Sequence, residues 1–325
     1  MATKKITELS ALVSGSVASA TDVLAIVDTT ANTTNKITVN NLVGNLGAVT
    51  AAGPIVDNSA VNRGNKTTGR YYLEEYFSKR PAINADIDGA YTVEVARAAN
   101  RDFEILGTNM TTALVTFDTT RAGLTITTAG ADQDQGIIAP HLDTAFTAWS
   151  GVLWGTENST EWECAISTNA IDNQKFWAGL KLTNDQLVAT DADQAYFKFQ
   201  TDATNSEAFT DFTKLHFVHS VGGTDFISQL PITVAANTTY HLKVVIDSDR
   251  KATIFVDGTQ YDITTTSGST GGTAVSAVAE GAAAVLSGAL TDDVDFIPYI
   301  GIEAGAAAAE ALDVHYQAIN RIIFE

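Results

Sequence analysis

From Thr239 to Ile263 the chain reads TYHLKVVIDSDRKATIFVDGTQYDI, and this stretch leaves little freedom of fold. Tyr240, Leu242, Val244 and Ile246 alternate with His241, Lys243 and Val245, the period of a strand with one buried face. Asp247-Ser248-Asp249-Arg250 supplies turn chemistry, because Asp and Ser side chains bond their own backbone. The chain returns as Ala252-Thr253-Ile254-Phe255-Val256, and Asp257-Gly258 then offers the positive φ angles of a tight hairpin. Three short strands joined by two tight turns form an antiparallel meander. A meander with one apolar face needs a second layer to cover it, so the remainder must complete a β-sandwich.

The rest of the sequence agrees. Candidate strands fall at Tyr91 to Val95, Asp102 to Leu106, Ala113 to Phe117, Leu124 to Thr128 and Trp149 to Trp154. Thr160 to Ser167, Lys175 to Leu182, Gln194 to Gln200 and Lys214 to Val221 precede the meander, and Phe296 to Ile302 and Leu312 to Phe324 follow it. Many short strands separated by Gly, Asn and Asp predict a sandwich or jelly roll. Thr264 to Gly288 and Gly305 to Ala311, rich in small residues, read as loops. The domain reading is a small unit over 1–46, a connector over 47–90 and the sandwich over 91–325. Within the connector, Tyr71 to Phe77 reads as one or two helical turns ending before Pro81.

The chain has 325 residues, 45% hydrophobic and 18% charged, enough apolar material for one large sandwich with attachments. Its formal charge of −19 repels phosphate backbones, so nucleic acid is not an expected partner. No apolar run is long enough to cross a bilayer as a helix, so membrane insertion is not expected. Met1 to Ser10 lacks the apolar run of a secretory signal. The single cysteine, Cys164, excludes an intrachain disulfide and reads as a buried, inert thiol.

Four groups of residues are candidate sites. Glu161 and Glu163 stand two apart on an expected strand and share a face. Retaining glycosidases need two carboxylates about 5–5.5 Å apart, which such neighbours approach. Trp162 occupies the place between them, where concanavalin-like glycosidases carry an Asp, and this weighs against catalysis. Trp149, Trp154, Trp162 and Trp177 offer flat faces for sugars, but Trp more often fills the space between sheets. Trp149 and Trp154, beside Ser150-Gly151 and Gly155, are the candidates for exposed glycan contact. The acidic stretches Asp132 to Gly136, Asp191 to Asp193 and Asp292 to Asp295 lack the spaced ligand set of a calcium loop and read as turns. The histidines form no zinc motif, and His216 and His219, three apart, are expected on opposite faces. No phosphate-binding loop or nucleophile elbow is present, and no cofactor is implied.

Two resemblances add to this reading. KKITELSAL followed by TDVLAIVDTTANTTNKITVNNLV resembles the N-terminal module of tailed-phage virion proteins, carried by Lys5, Ile6, Thr7, Leu9, Asp22, Leu24, Ile26, Val27, Asp28, Lys36, Ile37, Thr38 and Leu42. It implies that this segment attaches the chain to a particle, with Ile6, Leu9, Leu24, Ile26, Val27, Ile37, Val39 and Leu42 as the apolar attachment residues. FWAGLKLT, TYHLKVVIDSDRKATIFVDG and IPYIGIEA resemble the concanavalin-A/laminin-G-like jelly-roll sandwich, which hosts lectins, glycosidases and structural modules. Together they imply a non-enzymatic virion protein, a tail fibre, spike or capsid head fibre. Its expected partners are other virion proteins, two further copies in a homotrimer, and a host-surface glycan. The alternative is a glycan-binding lectin or a glycoside hydrolase of the same fold.

Overall fold

The structure is a computed structural model that describes residues 23–28, 33–38, 70–85, 103–118, 122–140, 153–201, 207–279, 281–282 and 288–322. The first strands in chain order are β1 (Val23–Asp28), β2 (Thr33–Thr38), β3 (Arg70–Glu75), β4 (Ala82–Asn84), β5 (Phe103–Gly107), β6 (Val115–Phe117) and β7 (Leu124–Thr127). Next come β8 (Gln135–Pro140), β9 (Trp154–Gly155), β10 (Glu161–Thr168), β11 (Gln174–Lys181), β12 (Gln194–Gln200), β13 (Lys214–Val221) and β14 (Thr224–Thr233). The last are β15 (Tyr240–Ile246), β16 (Ala252–Val256), β17 (Thr259–Tyr261), β18 (Thr273–Ala274), β19 (Asp295–Ala304) and β20 (Ala311–Ile322).

The chain divides into two compact units, Met1–Thr50 and Ala51–Glu325. In the first, β1 and β2 pair antiparallel, with Leu24 opposite Ile37 and Ile26 opposite Asn35. Of the expected attachment residues, Ile6, Leu9, Val39 and Leu42 lie outside the described residues.

The second unit is a two-sheet sandwich. Its eight-stranded sheet runs β17-β16-β15-β10-β20-β7-β6, with β3 also on β20; its ten-stranded sheet runs β18-β14-β13-β12-β11-β19-β8-β5-β4, with β9 also on β19. All pairings are antiparallel except β14 with β18 and β4 with β5. Alternation explains the packing. Trp162, Cys164 and Ile166 of β10, Leu242, Val244 and Ile246 of β15 and Val314 of β20 point inward. They meet Phe176, Ala178 and Leu180 of β11 with Phe197 and Phe217 of the next two strands. Burying one such side chain contributes about 1.5–3 kcal/mol. Cys164 is fully buried, and burial together with the neighbouring Glu163 pushes its thiol well up, as its inert reading expects.

The meander matches its expectation residue by residue. Leu242 pairs with Val256 and Ile254 with Tyr261, and Asp257 and Gly258 take φ of 50° and 78° in the turn. Three expectations need correction. Tyr71 to Phe77 is not helical: Arg70–Glu75 is a strand laid along β20, with Leu73 in the core. The sandwich therefore draws two strands, β3 and β4, from the stretch read as a connector. Three further strands, β8, β14 and the two-residue β18, form where none is expected, β18 within the Thr264 to Gly288 stretch read as a loop. β14 contains Pro231, which is exposed and sits beside a register shift against β13, where a missing N–H costs least. The expected strand at Tyr91 to Val95 lies outside the described residues.

Candidate functional site

β10 lies between β15 and β20 in the eight-stranded sheet, so its outward residues face outward residues of both neighbours. Glu161 is opposite Val245 and Asn320, Glu163 opposite Lys243 and Ala318, and Ala165 opposite His241 and Tyr316. The register between β10 and β20 shifts after Ala165, so His315 is the extra residue of a bulge. Bulges re-aim side chains. This one brings Tyr316 onto the same outer face as Glu163.

Glu161 and Glu163 do share a face, but in different settings. Glu163 is 3% exposed and accepts a hydrogen bond of 3.1 Å from the Tyr316 hydroxyl. Glu161 is flanked by cations, with Arg70 at 3.2 Å and Lys243 at 3.7 Å, and Asn320 Nδ2 donates to it at 3.5 Å. Arg70 also donates to Asn320 Oδ1 and to the Ser159 carbonyl, which fixes its guanidinium over the strand. The Tyr316 ring lies between Tyr76 and His241, with centroids 5.9 and 6.3 Å away. Burial first, and then the charge of Glu163, raise the Tyr316 hydroxyl far above its usual range, so it stays a donor.

Beside this pair opens a groove of about 320 Å³ lined by Glu163, His241, Lys243, Phe255, Asp257 and Tyr316. A second hollow of about 150 Å³ shares Phe255 with it and continues past Val245, Thr253 and Gln260. Asp257 rims the groove because the β16–β17 turn is pinned: the His241 N–H donates to the Asp257 carboxylate at 2.9 Å. The groove therefore offers a cation, carboxylates, a phenol hydroxyl and aromatic edges on one rigid sheet. Such a mixture suits a polyhydroxylated ligand, whose hydroxyls donate and accept while its C–H faces pack on rings.

Other expected sites resolve differently. Trp154, expected to be exposed, is 1% exposed and packs in the core against Tyr71 at 5.9 Å. Its strand β9 pairs with β19, which turns the ring between the sheets, so it offers no sugar platform. Trp149 lies outside the described residues, and Trp162 and Trp177 are fully buried. The acidic turns behave as turns. Asp134 accepts the Ala131 N–H, Asp191 the N–H groups of Leu182 and Thr183, and Asp193 those of Gly222 and Thr291. Carboxylate oxygens of Glu157, Asp292 and Asp293 lie within 4.8 Å of one another, with Arg250 3.2 Å from Asp292. His216 and His219 point to opposite faces, as expected. His219 faces the core between Phe217 and Phe226, its ring nitrogens without hydrogen bonds among the described residues, and burial drives its pKa down to about 3.

The outer face of the ten-stranded sheet is built on another plan. Lys175 pairs with Glu303, Lys181 with Asp191 at 2.9 Å, and Lys198 with Glu207, and all three lysines are fully buried. Residues 182–191 and 207–211 cover this face, and Trp177, Tyr196, Val218 and Tyr299 form a second apolar cluster under them. Trp177 packs so tightly on β19 that a Cβ at Gly301 would fall 2.3 Å from its ring.

The sequence pointed to Glu161 and Glu163 and missed Tyr316, Lys243, His241 and Arg70. The available signal for two of them was the polar half of the meander, His241 and Lys243, opposite its apolar half. Tyr316 and Arg70 carried none, because a bulge and a strand hidden in the connector place them.

The fold and this surface define a jelly-roll β-sandwich protein with a groove of mixed polar and apolar lining on its eight-stranded sheet. No protein-family model matches the chain, and no curated protein matches it. Among solved structures, a protein of unknown function from Shewanella oneidensis MR-1 matches at TM-score 0.43 and 9% identity, over 79% of this chain and 89% of that one. The β-glucanase of Bacillus licheniformis matches at TM-score 0.41 and 11% identity, over 76% and 97%. The family 7 alginate lyase A1-II′ matches at TM-score 0.40 and 13% identity, over 67% and 85%. These are likenesses of fold.

Proposed function

We propose that the chain is a non-catalytic, glycan-contacting structural protein of a virus particle, attached through its first unit and binding sugar in the groove of the eight-stranded sheet. The observation that carries the glycan part is the groove over Glu163, Lys243 and Tyr316. Its polar atoms are already oriented by one another, and aromatic edges stand beside them. Binding is favoured over hydrolysis because Trp162, with its ring in the core, takes the place between the two glutamates where a further carboxylate would stand. Arg70 and Lys243 also balance Glu161, and Glu163 is engaged by a phenol that keeps its proton. The attachment part is supported by the KKITELSAL and TDVLAIVD segments and by the separate compactness of Met1–Thr50. Homotrimeric assembly belongs to the same reading.

A glycan array probed with the full chain tests the binding: retained glycans that no longer bind Lys243→Ala support it, and an empty array opposes it. Reducing-sugar release that disappears in Glu163→Gln would replace binding by hydrolysis. Electron microscopy of particles carrying a labelled chain tests the attachment, and absence of label from every particle would overturn it.

A further inference from the structure

Beneath the loops of the ten-stranded sheet, Lys198 lies in an arrangement that goes beyond an ion pair. Its Nζ donates to the Gln186 side-chain Oε1 at 2.6 Å, to the Gln186 carbonyl at 2.6 Å and to the Glu207 carboxylate. Lys198 is fully buried, Gln186 is 1% exposed and the Glu207 side chain is 8% exposed. An amine, a carboxamide whose oxygen it already hydrogen-bonds and a carboxylate in contact with the same amine are the groups needed for amide exchange. Their confinement away from water removes the competing hydrolysis and holds them at contact distance.

We infer that Lys198 and Gln186 form an intramolecular isopeptide bond assisted by Glu207. The proton of the ammonium passes to the Glu207 carboxylate, leaving neutral Nζ, whose lone pair attacks Cδ of Gln186. Glu207 protonates the developing oxyanion, and a proton from Nζ returns through Glu207 to Nε2. The hydroxyl proton passes to Glu207 as the Cδ–Nε2 bond breaks and the carbonyl re-forms, and Nε2 leaves as ammonia, which carries that proton away as ammonium. The sum is amine plus carboxamide giving secondary amide plus ammonia. Glu207 is regenerated, and no oxidant, reductant or cofactor takes part.

The environment raises the fraction of neutral amine. Burial, opposed by Glu207, lowers the Lys198 pKa to about 8, and the nearby charges of Lys181 and Lys175 act in the same direction as burial. Lys181 supplies a contrast. It lies 2.8 Å from Gln194 Oε1 and 2.9 Å from Asp191. Asp191 also accepts the N–H groups of Leu182 and Thr183 and the Thr183 hydroxyl at 2.7 Å, whereas Glu207 accepts the Val188 N–H at 2.6 Å. Lys181 reaches its glutamine through one oxygen only, where Lys198 is held to Gln186 by two, so the bond is assigned to Lys198 and Lys181 remains an ion pair.

Mass spectrometry of the denatured full chain tests the inference without any variant. The expected mass is that of the sequence less one ammonia, about 17 Da, with a branched peptide joining Lys198 to Gln186. Glu207→Gln, which keeps a hydrogen-bonding partner for Lys198, is expected to fold with the full mass. Unaltered mass in the wild-type chain after prolonged incubation would overturn the proposal. So would loss of water in place of ammonia, which would mean a Lys198–Glu207 amide, or a cross-link confined to Lys181.

Discussion

The two outward faces of this sandwich carry similar residue types and use them in opposite ways. On the ten-stranded sheet three lysines and their carboxylates are sealed beneath loops. On the eight-stranded sheet, Lys243 lines a groove and joins Arg70 beside Glu161, and His241 and Tyr76 remain exposed. Coulomb attraction and desolvation both grow as water is removed, so a sealed pair becomes indispensable in its context without being a strong net stabiliser. An open pair is worth little to stability and stays available to a ligand. The sealed face is scaffold and the open face is surface for contact.

That difference can be broken by mutation. Removing one partner of a sealed pair should have the largest effect. Lys175→Ala leaves Glu303 buried without its cation, and urea denaturation should show a loss of about 3–5 kcal/mol. A loss below about 1 kcal/mol would mean that this face admits water.

Acid provides the next largest effect. His219 has a folded pKa of about 3 against an ordinary value of 6.5, so between those values the unfolded chain binds a proton that the folded chain refuses. Stability is unaffected above pH 6.5 and falls as the pH drops below it, by about 1.4 kcal/mol per unit, or about 2 kcal/mol at pH 5. His216, with a pKa of about 4, acts in the same direction. Replacing His219 by Phe should flatten the slope of stability against pH between 5 and 7 by one proton. A slope identical to wild type would show that His219 is not the group responsible.

The open face should respond least. Glu161→Gln removes a partly exposed carboxylate from Arg70 and Lys243, and its cost in thermal denaturation should stay below about 1 kcal/mol. A cost comparable to that of Lys175→Ala would erase the distinction between the faces.

The same contrast explains what could be read from the sequence. The meander was legible because its apolar alternation and its Asp257-Gly258 turn are local signals, and each strand pairs with the next. β8 was obscured by Asp132 to Asp134, which suggested a loop, and β14 by Gly222, Gly223 and Pro231. Tyr71-Tyr72-Leu73-Glu74-Glu75 is too short for a period of two to be told from a helical turn, and only pairing with β20, some 240 residues later, makes it a strand. The groove was half visible. Glu161 and Glu163 declare a shared face by spacing alone, but their partners arrive from β3, β15 and β20 through sheet order and a bulge, which local patterns do not encode. Trp154 was misplaced for the same reason: the glycines beside it suggest a turn, while pairing with β19 puts its ring in the core.

The most direct test of the division between faces is a binding titration against any glycan the full chain retains, using wild type, His241→Ala on the open face and Gln194→Ala on the sealed face. His241 is exposed at the groove and Gln194 is fully buried under the loops. The account predicts at least about tenfold weaker binding for His241→Ala, or about 1.4 kcal/mol, with unchanged folding. It predicts wild-type affinity for whatever fraction of Gln194→Ala remains folded. Wild-type affinity in His241→Ala together with lost binding by folded Gln194→Ala would place the contact on the other sheet and contradict it.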